Sequence, residues 1–185
     1  MSDYAQKFVA QLERLNRPEQ RDARALAILR RSLGFPPGSY PAAYPYVEYF
    51  IAADAHAQDA QRLALYLTAG LYALHPHQGA QTLATALGGL MRQRDSSSIE
   101  RRFIALLSAD AENVAIYLRQ AISLLAADDV SLDYAVLLQD LCTWLNPRAD
   151  ADRLDTVRRR WARDFYRALT VETDVPAPVS NTENA

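Results

Sequence analysis

The sequence predicts an all-α protein, a compact helical bundle of two lobes with about nine helices. Three observations lead there. Apolar residues recur at three- and four-residue spacing along almost the whole chain, which is the period of a helix face. No alternating run of β-branched residues is long enough for a sheet strand. The apolar share of 50% in 185 residues is ample for one buried interior.

The elements follow in order. Residues 3–15, within MSDYAQKFVAQLERL, are amphipathic rather than continuously apolar, so they predict a helix and not a signal peptide. A second helix spans 19–33, opened by Pro18, with Leu26, Leu29 and Leu33 facing inward and Arg17, Arg21, Arg24 and Arg31 outward; Arg30 sits beside the core. The segment GFPPGSYPAAYP, Gly34 to Pro45, must be an ordered bend if its tyrosines are to pack, with a helix over 42–53; Tyr40, Tyr44, Tyr46 and Tyr49 either pin the chain to the core, the commoner use of such interleaving, or form a binding surface. Residues 57–74 include the longest apolar stretch, Ala64 to Leu74, which is too short to span a bilayer and is broken by Thr68 and Gly70. Helices over 79–93, 98–108, 111–126, 132–145 and 151–169 complete the set.

Ser97 followed by Glu100 reads as a capping box, and Ser131 as the cap of the helix holding Leu132, Val136 and Leu137. Asp128, Asp129 and Asp133 gather at a helix start, where carboxylates offset the positive end of the dipole. The polar joint Arg92 to Ser98 divides the chain into an N-terminal lobe, 1–93, and a C-terminal lobe, 94–170, sharing a core. An acidic, flexible tail over 171–185 carries Glu172, Asp174 and Glu183 without a base.

Charge is the more informative property. Net charge is only -2, yet the 20 basic residues include a single lysine, Lys7. Such a ratio follows either from codon bias or from selection of guanidinium, which grips phosphate at two points and stacks on flat rings. In DTVRRRWARDFYR, Asp155 to Arg167, the inward stripe is Leu154, Val157, Trp161, Phe165 and Ala168. Arg159, Arg160, Arg163 and Arg167 fall on the other side, with Asp155 placed to pair with Arg159 and Asp164 with Arg160. In SSSIERRF, Ile99, Phe103 and Leu106 turn inward, Arg101 points away and Arg102 lies at the margin. Arg119 is on the polar side of the helix holding Val114, Leu118, Ala121 and Leu125. Four helices thus offer outward arginines, and if their faces converge they form a track for a phosphate backbone that reads no bases. A solvated, salt-bridged surface is the plainer alternative.

Other signals point away from an enzyme. His75 and His77 in LHPHQ lack a third metal ligand at usual spacing and read as a helix end favoured by imidazolium, so no metal is expected. Cys142 reads as a small, inert core residue, and a lone cysteine fits a reducing, cytoplasmic setting. Phosphate-cradling glycine loops, HExxH and GxSxG are all missing from the sequence.

The stretches LRRSLGFPPGSYPAAYPYVEYF, AGLYALHP, SSIERRFIALLSAD, LRQAISLLAADDVSLDYAVLLQDLCTWL and RRRWARDFY, in that order, resemble the small subunit (CasB family) of the type I-E CRISPR surveillance complex, Cascade. The resemblance runs from about Leu29 to Tyr166. It implies an all-helical, non-enzymatic subunit with no cofactor, present beside a second copy of itself and other Cascade proteins. Such a subunit contacts guide RNA and the target DNA strand, and helps to hold the displaced strand without sequence preference. The family's basic positions then fall on Arg30, Arg31, Arg101, Arg102 and Arg119, and in the more variable last helix on Arg159, Arg160 and Arg163; Arg24 joins them by its helix face. Tyr134 stands where many relatives carry tryptophan, which implies an exchange within the core. The alternative is a helical adaptor that touches only protein.

Overall fold

In the computed structural model, residues 2–170 are described. They form nine α-helices: α1 (Ser2–Leu15), α2 (Ala23–Ser32), α3 (Tyr44–Val47), α4 (Ala60–Leu74), α5 (Leu83–Arg94), α6 (Ser97–Leu107), α7 (Val114–Ala127), α8 (Tyr134–Trp144) and α9 (Ala151–Thr170). Extended pairing among the described residues is limited to one isolated bridge between Gln78 and Leu132. The expected tail, 171–185, lies outside the described residues.

α4 is the central rod. Every residue from Ala64 to Ala73 is buried, because α2, α7 and α8 cover it on different sides. Gly70 lets α2 come close: a Cβ there would lie 2.7 Å from Leu33 Cδ2 and 3.2 Å from the Leu29 carbonyl oxygen. α1 packs on α8, and α5 lies along α9 over most of its length. Helices from either side of Asp95, the left-handed residue (φ 48°) that turns α5 into α6, therefore contribute to one hydrophobic cluster. Tyr134 is fully buried in it and donates its hydroxyl to the His75 carbonyl at 2.6 Å. No helix among the described residues is long and apolar enough to cross a membrane.

Several expected boundaries move, each for a local reason. The helix expected over 42–53 is instead a 3-10 turn (Pro41–Ala43), the single turn of α3, and a second 3-10 turn (Glu48–Phe50). Pro41 and Pro45 lack donors for a continuous ladder. The helix expected from residue 19 begins at Ala23, where the Asp22 side chain accepts from the Ala25 amide at 2.8 Å; Pro18 opens only a 3-10 turn. Ser97 is not a cap. That position is Ser96, whose hydroxyl bonds the Ser98 hydroxyl, while Glu100 accepts from the Tyr166 hydroxyl. Nor is Ser131: Asp133 caps α8, accepting from Ala135 and Val136 amides, as a charged acceptor outcompetes a hydroxyl. Of the other two acids expected there, Asp128 pairs with Arg94 and Asp129 with His77.

The bend before α3 is pinned by one arginine. Arg62 donates to Glu48 at 2.8 Å and to the Gly38 carbonyl at 3.5 Å, and it lies over the rings of Tyr44 and Tyr66. Tyr66 also donates to Glu48, and burial beside that carboxylate raises its hydroxyl pKa. Gly38 has a φ of +78°, a conformation that a side chain would strain. Tyr40, Tyr44 and Tyr46 pack against the core as expected, whereas Tyr49 is 96% exposed.

Candidate nucleic-acid interface

Three helices bring arginines together. Arg24 and Arg31 are seven residues apart on α2, two turns on one face, and Arg30 lies beside Arg31 in its last turn. α4 separates α2 from direct contact with much of the bundle but also packs against α7, which delivers Arg119 from its middle. α6 packs on α7 and supplies Arg102.

The result is a pair of adjoining concavities. One, of about 510 Å³, is lined by Arg24, Arg30, Arg31 and Arg119, with Ile28, Leu33 and Leu74 among its apolar lining and Tyr40 beside them. The next, of about 430 Å³, is lined by Arg102 and Arg119 together with Gln120, Ser123, Ile116 and Leu124. A third, more apolar groove of about 730 Å³ runs past Leu33, Phe35, Pro36, Ile116 and Arg119. Arg119 borders all three and is the junction of the surface.

Electrostatics favour the same residues, although Arg101, Arg159 and Arg163 are also exposed and outside any ion pair among the described residues. Arg24, Arg30, Arg31, Arg102 and Arg119 are exposed, and among the described residues none of them is held in an ion pair. Arg62, Arg94, Arg158 and Arg160, by contrast, each sit against a carboxylate. Several unneutralised guanidiniums around shared concavities create a positive potential that an anionic ligand relieves. Their forked donors suit phosphate oxygens.

The remaining candidates lie elsewhere. Arg101 is exposed on α6 but lines neither basic concavity. On α9, Arg159 and Arg163 are exposed, and the Arg159 Nε donates to its own helix at Asp155 O, 3.3 Å away. Arg160 is engaged by α8, where it donates to Asp140, a carboxylate only 5% exposed that also accepts from the Trp161 indole at 2.7 Å. Burial raises the Asp140 pKa, and the two donors act against that rise. Among the described residues, the expected pairs Asp155–Arg159 and Asp164–Arg160 do not form. Asp155 lies 3.9 Å from Arg158, and Asp164 accepts from Thr82 at 3.2 Å, while Arg160 turns to the neighbouring helix and not to the acid one turn away.

The histidines differ from expectation too. His75 is 3% exposed and donates Nε2–H to the Val130 carbonyl at 2.9 Å; burial lowers its pKa, so it ends α4 as neutral imidazole, not imidazolium. A third donor invisible in the spacing is supplied by the fold, because Asp129 lies 2.5 Å from His77 Nδ1 and one ligand atom from each of the three lies within 4.8 Å of the others. The His77–Asp129 bond clips the end of α4 to the turn between α7 and α8. Cys142 is half-buried, with its thiol pushed up to about 11 by burial, and it stays protonated at neutral pH.

Phe35 and Tyr40 were not among the arginine-based candidates. Their rings stack at 4.8 Å with an interplanar angle of 15°; Tyr40 lines the basic concavity and Phe35 the apolar groove, two hollows that share Leu33 and Arg119. The tyrosine-proline interleaving marks Tyr40 as a candidate for either the core or a binding surface, but gives no sign of Phe35.

The chain has relatives among known proteins. Residues 25–166 match the family model described as CRISPR-associated protein Cse2. A CRISPR-associated protein Cse2 from Thermus thermophilus is 44% identical over 171 residues, covering 91% of this chain and 94% of the relative. The crystal structure of a Cse2-family protein from Thermus thermophilus superposes with a TM-score of 0.71 at 44% identity, over 88% of this chain and 97% of the other. A chain from a CRISPR RNA-guided surveillance complex superposes with a TM-score of 0.72 at 25% identity, over 91% and 94% of the two chains.

Proposed function

The chain belongs to the CRISPR-associated Cse2 (CasB) family, and from that premise we propose that it is a non-catalytic small subunit of a type I-E CRISPR surveillance complex that holds nucleic-acid backbone without reading sequence. A similar chain within an RNA-guided surveillance complex supports the assembly. The observation that carries the binding role is the set of arginines without ion pairs from α2, α6 and α7 around concavities joined at Arg119. Its partners are other subunits of the complex, a second copy of itself, guide RNA, the target strand and the displaced strand.

The mechanism is electrostatic. Exchanging a DNA duplex for an RNA–DNA hybrid is nearly balanced in free energy, so a few added backbone contacts tip it toward the opened state. A displaced strand lying on guanidiniums re-anneals more slowly, and guide pairing alone supplies selectivity. Near-neutral net charge keeps the free subunit from bulk nucleic acid.

Charge reversal tests the reading. Arg31→Glu, Arg102→Glu and Arg119→Glu change exposed positions, so the triple variant should keep its melting temperature and enter the complex. Its complex should open target duplex less completely, and the log–log salt dependence of single-strand binding should become shallower by roughly 2, at about 0.7 per lost phosphate contact. Unchanged target opening would overturn the proposal. Salt-insensitive assembly with no nucleic-acid crosslinks to these helices would instead favour the protein-only adaptor.

A further inference from the structure

A site for phosphate alone has no use for an apolar lining, yet the concavity lined by four arginines has one. Ile28, Leu33 and Leu74 line it among the guanidiniums, and the Phe35–Tyr40 ring pair stands at its border. Phe35 is the outer ring: it stacks on Tyr40 and remains 47% exposed, an arrangement that costs apolar hydration unless something flat covers it. Nor is it a loose side chain. The Phe35 amide bonds Ser32 O at 3.0 Å, Ser39 Oγ bonds Pro36 O at 2.7 Å, and Tyr44 bonds Gly38 O at 3.2 Å, so the bend presents the ring in a fixed place. Little ordering entropy is left to lose on binding.

We propose that this surface takes single-stranded nucleic acid with at least one base stacked on Phe35, while Arg24, Arg30, Arg31 and Arg119 hold the flanking phosphates. The inference rests on the nucleic-acid role argued above and narrows it to unpaired strands. In a duplex the bases stack on one another and offer phosphates and groove edges; a free strand offers charge and flat apolar rings in the same repeat. A protein partner would need carboxylates spaced to meet four guanidiniums as well as a ring for Phe35, so the single strand is the more economical fit. Stacking of this kind tolerates any base and keeps the subunit indifferent to sequence.

The test compares strands of equal charge. Full-chain protein is titrated at low salt with a labelled oligothymidylate and with an abasic strand of the same length. The native protein should prefer the base-bearing strand by roughly fivefold or more, the effect of one stacked base. Phe35→Ala, checked for an unchanged melting temperature because the ring also packs on Tyr40, should bind both strands with the lower, abasic affinity. Arg119→Glu should weaken both. No preference in the native protein, or a preference that survives in Phe35→Ala, overturns base stacking while leaving the phosphate role intact. So does a Phe35→Ala protein that keeps the preference but enters the complex poorly, which would assign the ring to a protein partner. Failure of Arg119→Glu to weaken either strand, or binding of neither strand by the native protein, overturns the phosphate role as well.

Discussion

Arg160 and Arg163 lie three residues apart on α9 and carry the same charge, yet their surroundings give them opposite roles. Arg160 neutralises a carboxylate sealed between α8 and α9, and that carboxylate also holds the Trp161 indole. Arg163 is exposed and holds no ion pair among the described residues. Removing Arg160 leaves Asp140 with one donor in a buried setting, so Arg160→Ala should cost about 1–3 kcal/mol in denaturant unfolding, the penalty of an under-satisfied buried polar group. Arg163→Ala should change stability by no more than about 0.5 kcal/mol. Equal effects would show that the Asp140 bond contributes nothing. The comparison matters for function because a nucleic-acid defect in an Arg160 variant would include lost packing and would not by itself report a lost phosphate contact.

At the level of elements, closeness of approach decides what a residue can be. Gly88 and Gly89 are neighbours on α5, and helix propensity alone would favour alanine at both. A Cβ on Gly88 would strike the Phe165 carbonyl oxygen of α9 and lie 2.9 Å from Ala168 Cβ, whereas one on Gly89 would meet nothing within 4 Å. Gly88→Ala should therefore destabilise the fold by about 1–3 kcal/mol as α9 is pushed off. Gly89→Ala should stabilise it by about 0.4–1 kcal/mol. Thermal melts of the two variants moving in the same direction would contradict this packing. The same contrast explains what could be read beforehand. The stripe Leu154, Val157, Trp161, Phe165 and Ala168 is a local property of α9, legible from spacing; the last four are buried as expected, and Leu154 is half-buried against the core. Caps were less legible, since Ser96 and Asp133 compete with Ser97 and Ser131 through geometry set by neighbouring helices. The arginine faces were legible one helix at a time. Their meeting at Arg119, the capture of Arg160 by Asp140, and the stacking of Phe35 on Tyr40 depend on how the folded backbone places these side chains, which periodicity does not encode.

For the whole molecule, the interface is only as well defined as the core that orients α2, α6 and α7. The joint at Asp95 lies between α2 and the other two, so the geometry of the arginine surface crosses the boundary at 93/94 between the expected lobes. α4 is buried on every side from Ala64 to Ala73, and α7 and α8, which complete that burial, come from the far side of the same boundary. A helix apolar all round has no soluble face when its cover is removed. The two halves should accordingly behave as one cooperative unit. Far-ultraviolet circular dichroism, which reports every helix, and fluorescence of Trp144 and Trp161, which reports only the C-terminal half, should give one coincident melting midpoint. A fragment ending at residue 93 should be unfolded or aggregated when expressed alone. Two separated transitions, or a folded fragment, would mean that the lobes stand independently. In that case Arg119 and Arg102 would be free to move relative to Arg24, Arg30 and Arg31, and a continuous phosphate track would need the assembled complex to align it.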